Sequence, residues 1–326
     1  MLQLQAILEK FSDVNLLVIG DLMLDRFIWG NVERLSPEAP VPVLRVVSEK
    51  SSLGGAANVI HNICSLGGRV TACGIVGKDE AGKRVVAALK KIGASTAGVI
   101  VDARFQTIEK SRIIASPHHQ QIVRLDRENH QSIRESTLRR LRDFITAKAR
   151  FNAIVVSDYG KGTIHGELLA WLADAAGRRK VLCIVDPKKE NYEGYRFPTL
   201  ITPNKIEASE ASGIQISDER SLLAAGKKLV RKWRAQAVLI TRGADGMSLF
   251  RPGLPVKHFP TEARDVFEVT GAGDTVVAVC ALALATGSGF AAAAVLANIA
   301  AGFVGDEVGT VAVPIEKLKR SIEGAT

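Results

Sequence analysis

Short β-branched apolar runs that alternate with helical segments predict an α/β fold, built on a doubly wound, mostly parallel sheet. Strand patterns fall at residues 16–20, 70–76, 153–157, 181–186, 200–202 and 237–241. Helical patterns lie between them at 56–66, 81–92, 167–176 and 220–233. The strand runs are apolar almost throughout, so both faces of the sheet must be covered by helices. Sheets of this kind bind ligands outside the carboxyl ends of their strands, where the strand order reverses.

Two stretches break the rhythm. Residues 37–47 (PEAPVPVLRVV) are proline-rich and then extended. Residues 105–125 hold strand-like pieces at 108–114 and 121–125 around a Ser-Pro-His-His turn. Neither fits an alternating core, and together they predict a small β-sheet lid over the strand ends, drawn from about 26–48 and 105–126. The plainer alternative is a surface hairpin. No long linker or internal repeat divides the chain, so 1–326 reads as a single domain.

Composition narrows the function. The chain has 326 residues, with 43 Lys and Arg against 34 Asp and Glu, a formal charge of 43 − 34 = +9 that attracts anions. With 3 Trp, 3 Tyr and 11 Phe, few rings are available for stacking on bases. The basic residues are scattered. In their densest run, Leu138, Leu141 and Ile145 recur at helical spacing, which puts Arg139, Arg140, Arg142 and Lys148 on a solvated face. Nucleic acids, anionic membranes and phosphorylated metabolites are the classes such a charge attracts; the scattered basic residues and few rings disfavour a specific nucleic acid, and no membrane partner is expected.

Cys64, Cys73, Cys183 and Cys280 form no CxxC pair, which argues against zinc and against a disulfide framework. The polar N-terminus lacks a signal-peptide pattern. The apolar stretches 276–285 and 290–304 are shorter than the roughly 20 residues that span a bilayer and read as buried helices. The expected setting is the cytoplasm.

The strongest chemical signal is Thr270-Gly271-Ala272-Gly273-Asp274 ahead of the helix at 276–285. Small residues let the backbone approach a ligand, and a helix start presents free amides and a positive dipole end to an anion. Asp274 beside that pocket is placed to accept a proton from an attacking hydroxyl. The competing reading is an Asp that only caps its own helix. Gly54, Gly55 and Asn58 form a second glycine-led helix entry with a polar residue in an apolar run. Asp21 and Asp25 follow the first strand, and carboxylates there suit sugar hydroxyls, although pairing with Lys or Arg is equally natural. Asn204, Lys205, Ile206 and Glu207 follow another strand, so Glu207 could orient Mg²⁺ through water. Thr241, Gly243 and Gly246 make a turn where a nucleotide could lie.

Other sites have less support. The sequence has no GxxxxGK[ST], no GxGxxG after its first strand and no GxSxG, and its six histidines show no metal-ligand spacing. His118 and His119 fall in the predicted turn and read as surface residues.

The two glycine motifs resemble the paired signatures of the PfkB-type, ribokinase-like carbohydrate kinases, and the intervening elements come in matching order. Further segments resemble the kinase domain of bacterial heptose kinases: residues 20–26 (GDLMLDR), 34–43 (RLSPEAPVPV), 120–126 (QQIVRLD), 157–162 (SDYGKG) and 186–188 (DPK). The resemblance implies phosphorylation of D-glycero-β-D-manno-heptose 7-phosphate at O1, towards ADP-heptose for lipopolysaccharide cores. A chain ending at Thr326 would be the stand-alone kinase form or an isolated domain.

The resemblance also implies residue roles. Asp274 matches the catalytic base, and Gly271, Ala272 and Gly273 match the anion hole. Asn204, Lys205, Ile206 and Glu207 match the element that meets ATP phosphates and magnesium. Thr241, Gly243 and Gly246 match the nucleotide loop, with Asn298 near the adenine. Asp25, Gly54, Gly55 and Asn58 match sugar contacts. ATP and Mg²⁺ are the implied cofactors, a monovalent cation stays open, and the lid is the implied homodimer interface. Glu268 stands where the family usually has Asp, so the loop around it could shift.

A substrate already carrying a phosphate needs basic residues near the lid. Arg112, Arg124, Lys161 and Lys188 are the candidates, since Arg in particular can hold a phosphate through two parallel hydrogen bonds. Three other functions are distinguishable: a PfkB-type kinase for ribose or a fructose phosphate, a non-catalytic sugar or nucleotide sensor, and a nucleic-acid binder with steep salt dependence.

Overall fold

The structure is a computed structural model that describes residues 2–116, 120–128, 133–147, 151–261, 271–304 and 312–324. His118, His119, Lys148, Glu268 and Thr270, each singled out above, lie outside the described residues. The chain opens with helix α1 (Leu2–Glu9) and strand β1 (Asn15–Gly20), then makes a long hairpin, β2 (Leu22–Leu35) and β3 (Pro42–Gly55). Helix α2 (Ala56–Ser65), β4 (Arg69–Gly77), α3 (Glu80–Lys91) and β5 (Ser95–Asp102) follow. A second hairpin, β6 (Ile108–Ser116) and β7 (Gln120–Arg127), precedes α4 (Glu135–Ala147), β8 (Ala153–Ser157), α5 (Gly166–Arg179) and β9 (Leu182–Asp186). Next come β10 (Leu200–Ile201), α6 (Lys205–Ser212), α7 (Glu219–Trp233), β11 (Val238–Thr241), β12 (Met247–Phe250) and β13 (Lys257–Phe259). Helices α8 (Ala272–Ala285), α9 (Phe290–Ala301) and α10 (Ile315–Gly324) complete the described chain.

The main sheet runs β13-β12-β11-β10-β9-β8-β1-β4-β5. It is parallel from β11 to β5, and β12 and β13 add an antiparallel edge. Strand period sorts its side chains into two cores. Leu16 and Val18 of β1 pack with α1–α3 and α8–α10, whereas Leu17 and Ile19 pack with α4–α7. Helices thus cover both faces, which is why the strands read as unbroken apolar runs. The order reverses at β1, which lies between β4 and β8. That is the topological switch point of a doubly wound sheet.

The second sheet runs β3-β2-β6-β7, with β2 and β6 parallel and both hairpins antiparallel. It is larger than the 37–47 and 105–125 stretches suggested. β2 begins at Leu22, directly after the main sheet, and β3 runs on to Gly55, where α2 starts. The chain therefore passes from one sheet into the other at Asp21 and back at Gly55, joining the sheets at the carboxyl end of β1.

Candidate active site

The site is assembled where β1 and β8 end side by side, with Gly20 opposite Ser157. Asp21 is fully buried at that point. Its Oδ2 accepts the backbone N–H of Tyr159 at 3.0 Å and of Lys161 at 3.1 Å, and its Oδ1 accepts that of Thr163 at 3.0 Å. Burial pushes the Asp21 carboxyl up, and these donors pull it back. The oxygens of Asp21 thus hold the loop after β8, a structural role that sequence alone did not suggest.

Asp274 occupies the first turn of α8 and is 6% exposed. Its Oδ2 accepts from Asn58 Nδ2 on α2 at 2.7 Å, and its Oδ1 accepts from the Tyr159 hydroxyl at 2.5 Å. Burial raises its pKa to about 6; Asp25 adds to the rise, while Tyr159, Asn58 and Lys110 oppose it. A buried carboxylate with that balance is ionised above neutrality and remains basic enough to take a proton. Asn58 is buried, and its Oδ1 has no partner among the described residues, which leaves an acceptor for a ligand hydroxyl.

Gly271 is the N-cap of α8 at φ 91°, a left-handed conformation that favours glycine. The amides of Ala272, Gly273 and Asp274 come before the first bond of the helix, Thr275 N–H to the Gly271 carbonyl at 3.1 Å. Among the described residues a β-carbon on Gly273 would meet nothing within 4 Å, so they leave the amide edge open. That makes a ready-made anion cradle next to Asp274.

The cradle opens into a cleft of about 160 Å³ that also collects Asp158, Tyr159, Asp186, Lys188, Asn204, Glu207 and Thr241. Asn204 caps α6, its Oδ1 accepting from the amides of Ile206 and Glu207 at 2.9 Å each. Glu207 completes the capping box through Oε2, and its Oε1 lies 3.0 Å from Lys188 Nζ. Burial, with Asp274 and Glu207 nearby, holds the Asp186 carboxyl well above the ordinary range. A divalent cation would relieve that crowding, and the all-oxygen donor set suits Mg²⁺. Among the described residues no three His, Cys, Asp or Glu side chains are placed to hold a metal by themselves, so phosphate oxygens and waters would have to complete its shell.

Not every expected residue lines this cleft. Lys205 and Ile206 border a separate groove with Ser209, Glu210 and Gly213, and Ile206 is 71% exposed. Gly243 and Gly246 bound the turn between β11 and β12 and do not line the cleft. Asn298 is buried and donates from Nδ2 to the Pro260 carbonyl at 2.7 Å, which tethers the chain after β13. Gly54 lies so close to Asp25 that a β-carbon there would overlap the Asp25 carboxylate. Gly55, at φ 56°, is the N-cap that turns the chain into α2.

Cations gather on the second sheet. Asp25 pairs in register with Lys110 and Phe27 with Arg112, while Lys110 faces Asp126 and Arg112 faces Arg124. Period two puts all of these on one face. Each expected phosphate ligand already has an acidic partner: Arg112 with Asp25 at 2.7 Å, Arg124 with Asp126 at 2.9 Å, Lys161 with Glu128 at 2.6 Å, and Lys188 with Glu207 at 3.0 Å.

Sequence reasoning assigned no role to Tyr159, Lys110 or Asp186. Burial lowers the Lys110 pKa, and its Nζ stands 5.8 Å above the Tyr159 ring. Lys110 alternates with Arg112 along β6, and that spacing was the available signal. Tyr159 and Asp186 sit at the ends of β8 and β9 within segments already singled out, but nothing local shows that a hydroxyl will reach Asp274 from 115 positions away.

The profile of the pfkB family carbohydrate kinases matches residues 14–318, and the chain belongs to that family. It is 48% identical to "Bifunctional protein HldE" of Geobacter sulfurreducens over 91% of this chain and 60% of that protein. The protein of the same name from Geobacter metallireducens is 47% identical over 94% of this chain and 62% of its own length. The chain thus spans about three fifths of the curated relatives it matches. Among solved structures, phosphofructokinase-2 from Escherichia coli in complex with potassium superposes with a TM-score of 0.79 at 20% identity, over 94% of this chain and 97% of that one. Arabidopsis thaliana ribokinase complexed with ribose and ATP gives 0.73 at 18% identity, over 94% and 98%. At such identities the likeness shows the fold: a large, mostly parallel sheet with helices and a smaller second sheet.

Proposed function

We propose that the chain transfers the γ-phosphoryl group of ATP to O1 of D-glycero-β-D-manno-heptose 7-phosphate, giving the 1,7-bisphosphate and ADP. The observation that carries this reading is the placement of Asp274. It lies between an open anion cradle at the start of α8 and a sheet face that bears Lys110, Arg112 and Arg124. The heptose-kinase motifs in the sequence and the relatives named HldE support this acceptor.

On this reading the acceptor lies between Asp25, Asn58 and Asp274, with its 7-phosphate towards Arg112, Arg124, Lys161 and Lys110. Asp274 takes the O1 proton as O1 bonds to the γ-phosphorus and the bond to the bridging oxygen of ADP breaks. The amides of Ala272 and Gly273 receive negative charge from the transferring group. Asn204, Glu207, Thr241 and Lys188 border the ATP end of the cleft. Magnesium, held at Glu207 with Asp186 facing the same space, would supply neutralisation of the phosphate charge.

Exposed Leu35, Val46, Val47, Val123 and Leu125 on the second sheet favour its use as a homodimer interface, and the sheet as a lid. No helix of the described residues is long and apolar enough to cross a membrane, and ATP use suits the cytoplasm. Phosphorus NMR of the product tests the reaction: a new anomeric phosphate beside a retained 7-phosphate is expected. Turnover with ribose or fructose 6-phosphate alone would keep the family and overturn the acceptor.

A further inference from the structure

Both oxygens of the Asp274 carboxylate are held by side chains that lie far away in sequence. Asn58 fixes Oδ2 at 2.7 Å and the Tyr159 hydroxyl fixes Oδ1 at 2.5 Å. Tyr159 is itself fixed, because its backbone N–H and those of Lys161 and Thr163 are anchored on buried Asp21. Lys110 stands over its ring. This is a braced arrangement aimed at a single carboxylate.

We propose that Tyr159 is a positioning residue for phosphoryl transfer, whose hydroxyl keeps Asp274 ionised and aims its Oδ1 at the acceptor; the proposal rests on the reading of Asp274 as the base. The surroundings explain why such a residue is needed. Asp274 faces Asn58 from α2, Asp25 from β2, Lys110 from β6, Tyr159 from the loop after β8, and Asp186 at the end of β9. Burial and the two acidic neighbours favour its protonated form, and a protonated base cannot accept the hydroxyl proton. Lys110, Asn58 and Tyr159 oppose them.

The direction of the hydrogen bond is fixed as well. Burial, together with Asp274, Asp186 and Asp25, holds the Tyr159 phenol well above its ordinary range, so it remains a donor at every working pH. With one donor on each oxygen the carboxylate plane cannot turn, and one further lone pair per oxygen remains for the substrate hydroxyl. Tyr159→Phe removes only that donor and leaves the ring under Lys110.

The test uses the full chain labelled with ¹³C at the aspartate carboxyl, with Asp274→Asn to identify the signal. The titration midpoint of Asp274 is expected to rise by about one pH unit in Tyr159→Phe, as for a carboxylate that loses one of few hydrogen bonds. The acid limb of kcat/KM for heptose 7-phosphate under excess Mg·ATP should follow it. At pH 6.5 kcat/KM should then fall about threefold, with most of it regained near pH 8.5 and the KM for ATP unchanged. If Tyr159 merely props the loop, the midpoint stays and turnover falls by one factor at every pH; either result overturns the proposal. The carboxyl titration needs no turnover. Retained turnover in Asp274→Asn would remove the base reading, and the catalytic half of this proposal with it, while the titration still reports the hydrogen bond.

Discussion

Arg112 Nη1 lies 2.7 Å from Asp25 Oδ1, so a cation suited to an incoming phosphate is paired with a carboxylate suited to sugar hydroxyls. Both side chains are mostly buried, and the guanidinium also stacks 5.2 Å from the Phe27 ring centroid. On the proposed reading, the acceptor would set its hydroxyls on Asp25 and its phosphate on Arg112. Arg112→Ala should raise the acceptor KM by about 10- to 100-fold, the loss expected for one charge-assisted bidentate contact. The KM for ATP should not move. Steady-state kinetics in both substrates checks this, and an equal rise in the two values would count against a phosphate role.

Asp274 makes the ligand-free protein less stable than it need be. Its pKa of about 6 in the folded state exceeds the ordinary 3.8. Between those values the folded chain keeps a proton that the unfolded chain has released, so stability falls as pH rises through that window and stays lower above it. Asp274→Asn should therefore be more stable than the parent at pH 7.5, by about 1–3 kcal/mol. The advantage should vanish near pH 4. Asp158, raised to about 6 chiefly by burial, adds to the slope of the parent in the same window. Denaturant melts at the two pH values measure the difference directly.

Gly54 tests the sugar side of the site separately. A β-carbon there would overlap the Asp25 carboxylate. Gly54 sits opposite Met23 in the β2–β3 ladder, away from the ATP cleft. Gly54→Ala should raise the acceptor KM about tenfold or more by displacing Asp25, with stability changed by about 1–2 kcal/mol as for modest overpacking. Unchanged acceptor kinetics would show that Asp25 does not touch the sugar.

Asp21 holds three backbone amides with two oxygens. Asn in its place offers one oxygen and brings two donors of its own, so at least one buried amide loses its partner. Asp21→Asn should cost about 2–4 kcal/mol of stability. It should also lower kcat, because the loop that carries Tyr159 is released. Thermal melts and turnover at saturating substrates give the two readouts.

The parts of the fold legible in sequence were those whose burial is uniform. Strands buried on both faces, such as β1 and β8, announce themselves as apolar runs, and α3 and α7 show a clear amphipathic period. β2 was read only in part, as the start of the lid from about residue 26, because it carries Asp25, Arg26, Asn31 and Glu33 rather than an unbroken apolar run. β5 alternates polar and apolar residues at the sheet edge, and α6 is only eight residues long. In the site, residues that act through local backbone were readable: Gly271, Gly273 and Asp274 at one helix start, Asn204 and Glu207 at another. Residues that act through tertiary contacts were not. The amide partners of Asp21 and the Pro260 carbonyl that Asn298 meets are both set by tertiary contacts, which no local pattern announces. The four basic residues were picked out by their place on lid strands and at strand ends, but their acidic partners depend on strand register, which sequence alone does not fix.

On the proposed function Asp274 serves an acceptor that already carries a phosphate. The most direct measurement is ADP release with Mg·ATP, comparing kcat/KM for D-glycero-β-D-manno-heptose 7-phosphate with that for the unphosphorylated heptose, ribose and fructose 6-phosphate, with Asp274→Asn as control. The proposed function predicts a preference of at least about 100-fold for the heptose phosphate over the free heptose, as expected where two or more charged contacts hold the phosphate, and almost no turnover in the variant. Equal rates with and without the 7-phosphate, or undiminished turnover in Asp274→Asn, would contradict it.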